Sequence, residues 1–343
     1  MFKEILEQRN LPELLSREEM LEIMQREVYG YLPDKPENLE FTSKVLLRPN
    51  FAGKAVVHQV TACCKLADGK EFSFPFYAIL PTGEGKYPFF VNVKFTGNIP
   101  DPYLPAEELI DNGFAVLCFD YRDVTSDDED MTNGLAGVLY PDGKRRPNDP
   151  GKIALWAWAA QRVMDYAQTL DCLDLNRAVV CGHSRLGKTA LLAGATDTRF
   201  SFVYSNDSGC TGAAISREKA GESVTRINTR FPYWFCEQYW SYREREEAMA
   251  FDQHYLLASI SPRKVLVGSA TEDEWADPLS EQLCCFAASP AFPNGFVCPD
   301  RVAVAGEGFL EGDIGYHLRQ GMHYFSRQDW HQLIKFVNLH SGI

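Results

Sequence analysis

The residues whose types and spacing could support a chemical reaction lie at positions 179–189. Their spacing fits two different chemistries. From Gly182 onward the sequence reads GHSRLGKT, which matches G-x-x-x-x-G-K-T, the loop that binds nucleotide phosphates. Around Ser184 the same residues predict an apolar strand, a sharp turn with a serine at its tip, and a helix. Such a turn presents a serine nucleophile, although the second glycine comes one position later than in G-x-S-x-G.

A serine nucleophile needs a base and an orienting acid, and both follow it in the chain. His323 lies in a loop before a final helix predicted at 329–339, and imidazole is the side chain that exchanges protons near neutral pH. Asp273 lies in an acidic loop after a strand predicted at 264–267. Asp207 also follows a predicted strand, so chain order alone leaves two candidates for the acid that would hold the imidazole tautomer.

The surrounding elements favour the nucleophile over the phosphate-binding loop. A phosphate-binding loop normally follows the first strand of its domain, and a second apolar strand ending in Asp supports the magnesium. Several strands precede this loop, and the candidate second strand, 202–207, is interrupted by Ser205 and Asn206. A nucleotide enzyme therefore remains the lesser alternative.

The order of predicted elements indicates the fold class. Three strands come first, and strands then alternate with helices. Because βαβ alternation builds parallel strands, we predict an α/β-hydrolase fold, a three-layer sandwich with a mostly parallel central sheet and helices on both faces. The predicted strands are 56–64, 72–80, 87–93, 114–119, 178–181, 202–205 and 264–267, and the main helices are 152–170, 185–195 and 329–339.

The chain is predicted to form a single domain over residues 1–343 with two additions. Residues 1–35 form an N-terminal helical extension with a packing role, in which Ser16 and Glu19 make a capping box. Residues 208–261 are too long for a simple crossover and rich in aromatic residues, so they form either a cap near the active site or an extra packing layer.

Composition narrows the classes of partner. The formal net charge of −13 disfavours nucleic acid or an anionic membrane as the main partner. No apolar run approaches the roughly 20 residues of a membrane span, and the first forty residues lack the apolar core of a signal peptide, so we expect a cytoplasmic protein. None of the ten cysteines falls in a C-x-x-C pair, so a zinc site is not expected. The oligomeric state and any disulfides stay open.

Several motifs together resemble one family, the glucuronoyl esterases of carbohydrate esterase family fifteen, and within it the bacterial branch. The similarity is loose over 114–150 and good over 151–330. The matching motifs are GHSRLGK at 182–188, SNDSGC at 205–210, GE at 221–222, RIN at 226–228, FPYWF at 231–235, DEWAD at 273–277 and GMH at 321–323.

The resemblance implies an enzyme without a cofactor or metal that cleaves glucuronic acid esters, often 4-O-methylated, which join xylan to lignin alcohols. It assigns Ser184 as the nucleophile and His323 as the base. Arg185 would hold the oxyanion through its backbone N–H and its guanidinium. A cation there favours the transition state, since a neutral ester becomes a negatively charged intermediate.

The resemblance also assigns the sugar-binding residues. Lys188, on the same helix face as Ser184, would bind sugar hydroxyls, and Glu222 and Trp275 would line the glucuronate pocket.

Two departures from the family pattern affect this interpretation. Members commonly carry Glu where this chain has Asp207, which is one methylene shorter, so we favour Asp273 as the main orienting acid and Asp207 as a second or alternative one. The absence of a recognisable signal peptide favours a small glucuronate ester over lignin-bound xylan.

An acetyl xylan or other carbohydrate acetyl esterase is the main alternative function. A carbohydrate-binding relative without catalysis is disfavoured by the intact Ser184 and His323.

Overall fold

The central strands are apolar on both faces, as expected for parallel strands covered by helices on both sides. The computed structural model describes residues 1–46, 50–99 and 101–342. Phe89 and Val91 of one central strand belong to one buried cluster, and Phe90 belongs to another. Successive side chains of a strand point to opposite faces of a sheet. The two clusters therefore lie on the two faces of the sheet.

The described residues contain ten strands, which form one sheet in the order β1-β2-β3-β5-β4-β6-β7-β8-β10-β9. Neighbours among β5, β4, β6, β7, β8 and β10 are parallel, and β1, β2, β3 and β9 pair antiparallel with their neighbours. The strands are β1 (Asn38–Leu46), β2 (Ala55–Lys65), β3 (Glu71–Pro81), β4 (Tyr87–Lys94), β5 (Ala115–Asp120), β6 (Leu173–His183), β7 (Phe202–Asn206), β8 (Lys264–Ala270), β9 (Gly308–Phe309) and β10 (Ile314–Arg319).

Helices pack on both faces of this sheet. Leu155, Leu191 and Leu283, from three different helices, are buried in one cluster, and Leu109 and Leu333, from two others, are buried in the other. Each such side chain contributes about 1.5–3 kcal/mol relative to an exposed one. The helices are α1 (Phe2–Gln8), α2 (Arg17–Met24), α3 (Ala106–Asp111), α4 (Gly134–Leu139), α5 (Lys152–Ala167), α6 (Arg185–Thr196), α7 (Val224–Arg230), α8 (His254–Ala258), α9 (Pro278–Ala288) and α10 (Arg327–His340). The predicted three-layer α/β architecture is confirmed.

The N-terminal segment packs against the larger cluster. Both halves of the predicted capping box are present, with Ser16 accepting from the Glu19 backbone N–H and Glu19 accepting from the Ser16 backbone N–H. Met20 and Met24 of α2 are buried in that cluster.

The segment 208–261 contributes residues both to the core and to a cavity at the edge of the sheet. It carries α7, α8 and short 3-10 helices at Pro232–Trp234, Glu237–Tyr242 and Glu246–Ala248. Phe235 and Tyr239 are fully buried and pack in the core, whereas Phe231 lines a cavity at the edge of the sheet.

In the part of the chain that the structure describes, no helix has the length and apolarity to span a bilayer.

The strand β10 escaped the sequence prediction because two of its six residues are polar. His317 and Arg319 are both buried, and their polar atoms bond to the hydroxyl of Tyr204 and to the carboxylate of Asp329, respectively. The strand therefore has no continuous apolar run. Its apolar residues do alternate, at Ile314, Tyr316 and Leu318, so the period-two pattern of a strand was the signal present in the sequence.

The carboxyl ends of the parallel strands lie at one edge of the sheet, where ligand sites of such folds occur. Ser184 follows β6, Asp207 follows β7, Asp273 follows β8 and His323 follows β10. The topology therefore brings to one edge four residues that are far apart in the chain.

Candidate active site

The turn between β6 and α6 presents Ser184 in a strained backbone conformation. Its φ is 58° and its ψ is −126°, a conformation that costs a non-glycine residue of order 1–3 kcal/mol. The Ser184 backbone N–H donates to the carbonyl of Asn206 at 2.8 Å, which ties the turn to the end of β7. A serine held in this way projects between strand and helix, as a nucleophile elbow requires.

Close packing explains the two glycines that flank this turn. A Cβ at Gly182 would lie 2.2 Å from the carbonyl oxygen of Leu186, and one at Gly187 would lie 2.9 Å from Ser205 Oγ. The glycines allow α6 to begin directly above β6 and beside β7. Close packing of α6 against the two strands therefore explains the glycine spacing that resembles a phosphate-binding loop.

His323 and Asp273 are in direct contact. The Nδ1 atom of His323 lies 2.6 Å from Asp273 Oδ2, and the other carboxylate oxygen accepts from the backbone N–H of Ala276 at 3.2 Å. Asp273 is 4% exposed and His323 is 44% exposed. Since a carboxylate only accepts hydrogen bonds, Nδ1 is the donor and Nε2 is left as the acceptor.

Asp207 lies near this pair but bonds elsewhere. One of its carboxylate oxygens is within 4.8 Å of a His323 ring nitrogen and of an Asp273 oxygen. Its Oδ2 accepts from Arg319 Nη2 at 3.1 Å, and its Oδ1 is buried without a hydrogen-bond partner. Burial, with the nearby carboxylates of Glu281 and Asp329, raises the pKa of Asp207 well above its usual range.

A third buried carboxyl group lies behind the site. Glu281 of α9 accepts from the backbone N–H of Gly209 at 2.9 Å and from Ser269 Oγ at 2.5 Å. Burial raises its pKa to about 7. Glu281 thereby fixes the turn that follows Asp207.

All eight residues predicted from the sequence line one cavity of about 330 Å³. They are joined there by six residues that the sequence analysis did not assign to the site. The lining residues are Ser184, Arg185, Lys188, Asp207, Ser208, Gly209, Glu222, Arg230, Phe231, Trp234, Asp273, Trp275, Ala276 and His323.

The Arg185 guanidinium is held by Asp127, a residue that sequence reasoning missed. Arg185 Nη1 donates to Asp127 Oδ2, which also accepts from the hydroxyl of Tyr121 at 2.8 Å, and Trp234 Nε1 donates to Oδ1 at 2.7 Å. The guanidinium carbon lies 4.7 Å from the centre of the Trp234 ring, within cation–π range. Asp127 begins the acidic run 127–130, a pattern typical of a solvated loop, so the sequence carried no signal for this role.

Lys188 and Glu222 form the polar floor of the cavity. Both side chains are buried, and Lys188 Nζ donates to the carbonyl of Ser208. Burial lowers the pKa of Lys188, and the nearby Glu222 carboxylate opposes that shift.

Trp275 forms the outer wall and is 45% exposed. Gly221 fits closely beneath it, since a Cβ there would lie 2.6 Å from the Trp275 carbonyl oxygen. The neighbouring backbone N–H of Glu222 donates to that same carbonyl at 3.1 Å.

Comparisons with known proteins identify the family. Residues 65–294 match the family model described as glucuronyl esterase, fungi. The carbohydrate esterase MZ0003, from an unknown prokaryotic organism, is 32% identical over 94% of this chain and 84% of its own length. The chain belongs to the glucuronoyl esterase family. It is a carboxylic ester hydrolase with an α/β-hydrolase fold, and this membership excludes the nucleotide-enzyme interpretation of residues 182–189.

Solved structures and fungal relatives agree with this membership. A glucuronoyl esterase from Solibacter usitatus is 31% identical, with a TM-score of 0.86 over 94% of this chain and 91% of that one. A family 15 glucuronoyl esterase from Teredinibacter turnerae is 26% identical, also with a TM-score of 0.86, over 95% of this chain and 84% of that one. The 4-O-methyl-glucuronoyl methylesterase of Hypocrea jecorina is 28% identical over 80% of this chain, which spans 56% of that relative.

The contacts of Asp127 lead to a first prediction. Asp127→Asn keeps an acceptor for Trp234 but removes the charge that fixes the Arg185 guanidinium. If that guanidinium stabilises the oxyanion, kcat should fall by about tenfold to 100-fold with little change in KM, somewhat less than the 10²–10³ that follows loss of an oxyanion donor. Steady-state kinetics on an ester substrate measures both constants.

Glu129→Gln, at an exposed position of the same loop, is the matched control and should leave both constants unchanged. A folded Asp127→Asn enzyme with wild-type kcat would show that Asp127 does not act on the reaction through Arg185.

Proposed function

We propose that this chain hydrolyses esters of the glucuronic acid carboxyl group through a covalent intermediate on Ser184. The observation that best supports the proposal is that one cavity is lined by Ser184, by the His323–Asp273 pair, and by Lys188 and Glu222. Lys188 and Glu222 are a buried cation and a buried carboxylate suited to a sugar. The relatives named as 4-O-methyl-glucuronoyl methylesterases support the choice of acyl group.

The first half of the reaction forms the acyl-enzyme. Ser184 Oγ attacks the ester carbonyl carbon while His323 Nε2 takes its proton, and the resulting imidazolium is stabilised by Asp273 at Nδ1. The intermediate collapses when the carbon–oxygen bond to the alcohol breaks. His323 returns the proton to that oxygen, and the alcohol leaves.

The second half regenerates the serine. Water takes the place of the alcohol and loses a proton to His323 as it attacks the acyl carbon. The bond to Ser184 Oγ then breaks, and the protonated imidazole returns the proton to that oxygen. The products are the free glucuronic acid and the unmodified enzyme.

Arg185 supplies the charge that both tetrahedral intermediates need. Its backbone N–H lies at the start of α6, directly after the nucleophile, and its guanidinium is already fixed by Asp127 and Trp234. A cation that is ordered before the reaction stabilises the oxyanion without reorganisation during the step.

Other residues of the same cavity would recognise the acyl group. Lys188 and Glu222 offer a donor and an acceptor for sugar hydroxyls, and the exposed ring of Trp275 offers an apolar face for the sugar. The cavity of about 330 Å³ is at the small end of ligand pockets, roughly 300–1,000 Å³. This volume suits one monosaccharide ester better than a longer acyl chain.

A broader esterase is the second candidate, because the solved structure described as a promiscuous family 15 esterase from a marine bacterial metagenome is 32% identical to this chain. Carbohydrate acetyl esters would use the same Ser184 and His323. They would not need Lys188 and Glu222, since an acetyl group brings no sugar hydroxyls on the acyl side.

A substrate panel tests the proposed function directly. Hydrolysis of benzyl and methyl glucuronate should exceed that of 4-nitrophenyl acetate in kcat/KM relative to the uncatalysed rates, because the acetate makes no contact with Lys188, Glu222 or Trp275. Ser184→Ala should remove essentially all turnover of each ester and leave the fold intact by circular dichroism. Initial rates measured by base titration at constant pH give the comparison.

A preference for acetyl esters in this panel would favour the second candidate. Near wild-type turnover by a clean Ser184→Ala preparation would exclude Ser184 as the nucleophile.

The two aspartates give the next prediction. Asp273→Asn should lower kcat by up to ~10⁴, because its amide cannot hold the same imidazole tautomer. Asp207→Asn should cost less, since Asp207 bonds to Arg319 and not to His323. The double variant should be little worse than Asp273→Asn alone, because residues that act as one unit are non-additive.

The ranking is read from kcat on methyl glucuronate for the two single variants and the double variant. A larger loss for Asp207→Asn would assign the orienting role to Asp207. Equal modest losses with a severe double variant would mean that the two carboxylates replace each other.

A further inference from the structure

One buried guanidinium, that of Arg319, holds the backbone on both sides of His323. Arg319 ends β10, four residues before the histidine, and its side chain is 7% exposed. Its Nη2 atom donates to the carbonyl of Met322 at 2.9 Å and to the carbonyl of Tyr324. The carbonyl groups of the two residues that flank His323 in the chain thus accept from the same nitrogen.

Two buried carboxylates fix that guanidinium in turn. Arg319 Nε donates to Asp329 Oδ2 at 2.8 Å, and Nη2 donates to Asp207 Oδ2 at 3.1 Å. Asp329 belongs to the capping box at the start of α10, and Asp207 follows β7. Arg319 therefore connects the His323 turn to two rigid elements that do not carry it.

These contacts give Asp207 a role distinct from the one its position in the family suggests. Its carboxylate faces a cation at hydrogen-bond distance, whereas the imidazole bonds to Asp273. The Asp207 Oδ2 atom also accepts from the backbone N–H of Tyr324 at 3.4 Å. Asp207 contacts the His323 turn through Arg319 and this backbone group.

We propose that Arg319 is a positioning residue that orients His323 for proton transfer, with Asp207 and Asp329 as its counter-ions. The inference rests on the proposed function, because it takes His323 as the general base. A base must lie within hydrogen-bond reach of the proton that it moves. His323 is half exposed, so the turn that carries it needs such an anchor.

An arginine suits this position better than a lysine. The guanidinium presents five donors in a rigid planar fork, which can reach separate acceptors from Nε and Nη2 at once. A lysine keeps the charge between Asp207 and Asp329 but has a single nitrogen on a flexible stem. Arg319→Lys therefore retains the ion pairs in part and loses the fixed geometry.

The test compares Arg319→Lys with the wild-type enzyme, counting active sites by titration with a fluorophosphonate. We expect kcat per active site to fall by about 10²-fold, the cost of a displacement near 1 Å in a catalytic group. KM should change less than about twofold, because Lys188, Glu222 and Trp275 lie on other elements. The downfield proton resonance of the His323 Nδ1–H, assigned by its loss in His323→Ala, should weaken or shift.

Arg327→Lys is the matched control, since Arg327 begins α10 with a side chain that is 78% exposed. It should leave kcat and the resonance unchanged. Adding Asp207→Asn to Arg319→Lys should lower kcat little further, as expected for residues that share one interaction. A wild-type kcat with an unaltered resonance in Arg319→Lys would overturn the proposal.

A second variant covers the case in which Arg319→Lys does not fold. Asp329→Asn keeps an acceptor for Arg319 Nε but removes one counter-ion, and it should lower kcat without raising KM. An unchanged kcat and resonance in that folded variant would also overturn the proposal. Every variant is measured on 4-nitrophenyl acetate as well as methyl glucuronate, so that a wild-type enzyme inactive on glucuronate would overturn the proposed substrate alone.

Discussion

The strained turn at Ser184 is the constraint on which the site depends. A positive φ at a serine persists only where the surroundings enforce it. Here the close approach of α6 to β6 at Gly182 and to β7 at Gly187 provides that enforcement. The same approach places Arg185 and Lys188, on the first turn of α6, beside Ser184. A larger residue at either glycine would displace the helix that carries both cations.

Buried charge is the second constraint. Asp207, Asp273, Glu281 and Asp329 are all buried at the carboxyl edge of the sheet, where an unpaired carboxylate is costly. Arg319 pairs with two of them, His323 bonds to a third, and the pKa of Glu281 is raised to about 7. The four carboxyl groups thus have three different environments, which explains how one site can hold several acids with separate roles.

The sequence predicted the fold class and the eight cavity residues because both depend on local signals or on chain order. The strand–turn–helix around Ser184 is read from adjacent residues, and the family motifs mark Lys188, Glu222 and Trp275. The contacts of Asp127 and Arg319 could not be predicted, since they join residues 58 and 112 positions apart. Chain order could not choose between Asp207 and Asp273, because both follow neighbouring strands. The shorter side chain of Asp207, compared with the Glu common in the family, favoured Asp273, and Asp273 is the residue that contacts His323.

The central claim is that Ser184 is a nucleophile activated by His323, and peptide mapping after reaction with a fluorophosphonate tests it most directly. The account predicts one modified peptide, with the phosphonyl group on Ser184, and protection by excess methyl glucuronate. Labelling should be strongly slowed in His323→Ala. Modification at another residue, or none at all in an enzyme that still hydrolyses esters, would contradict the account.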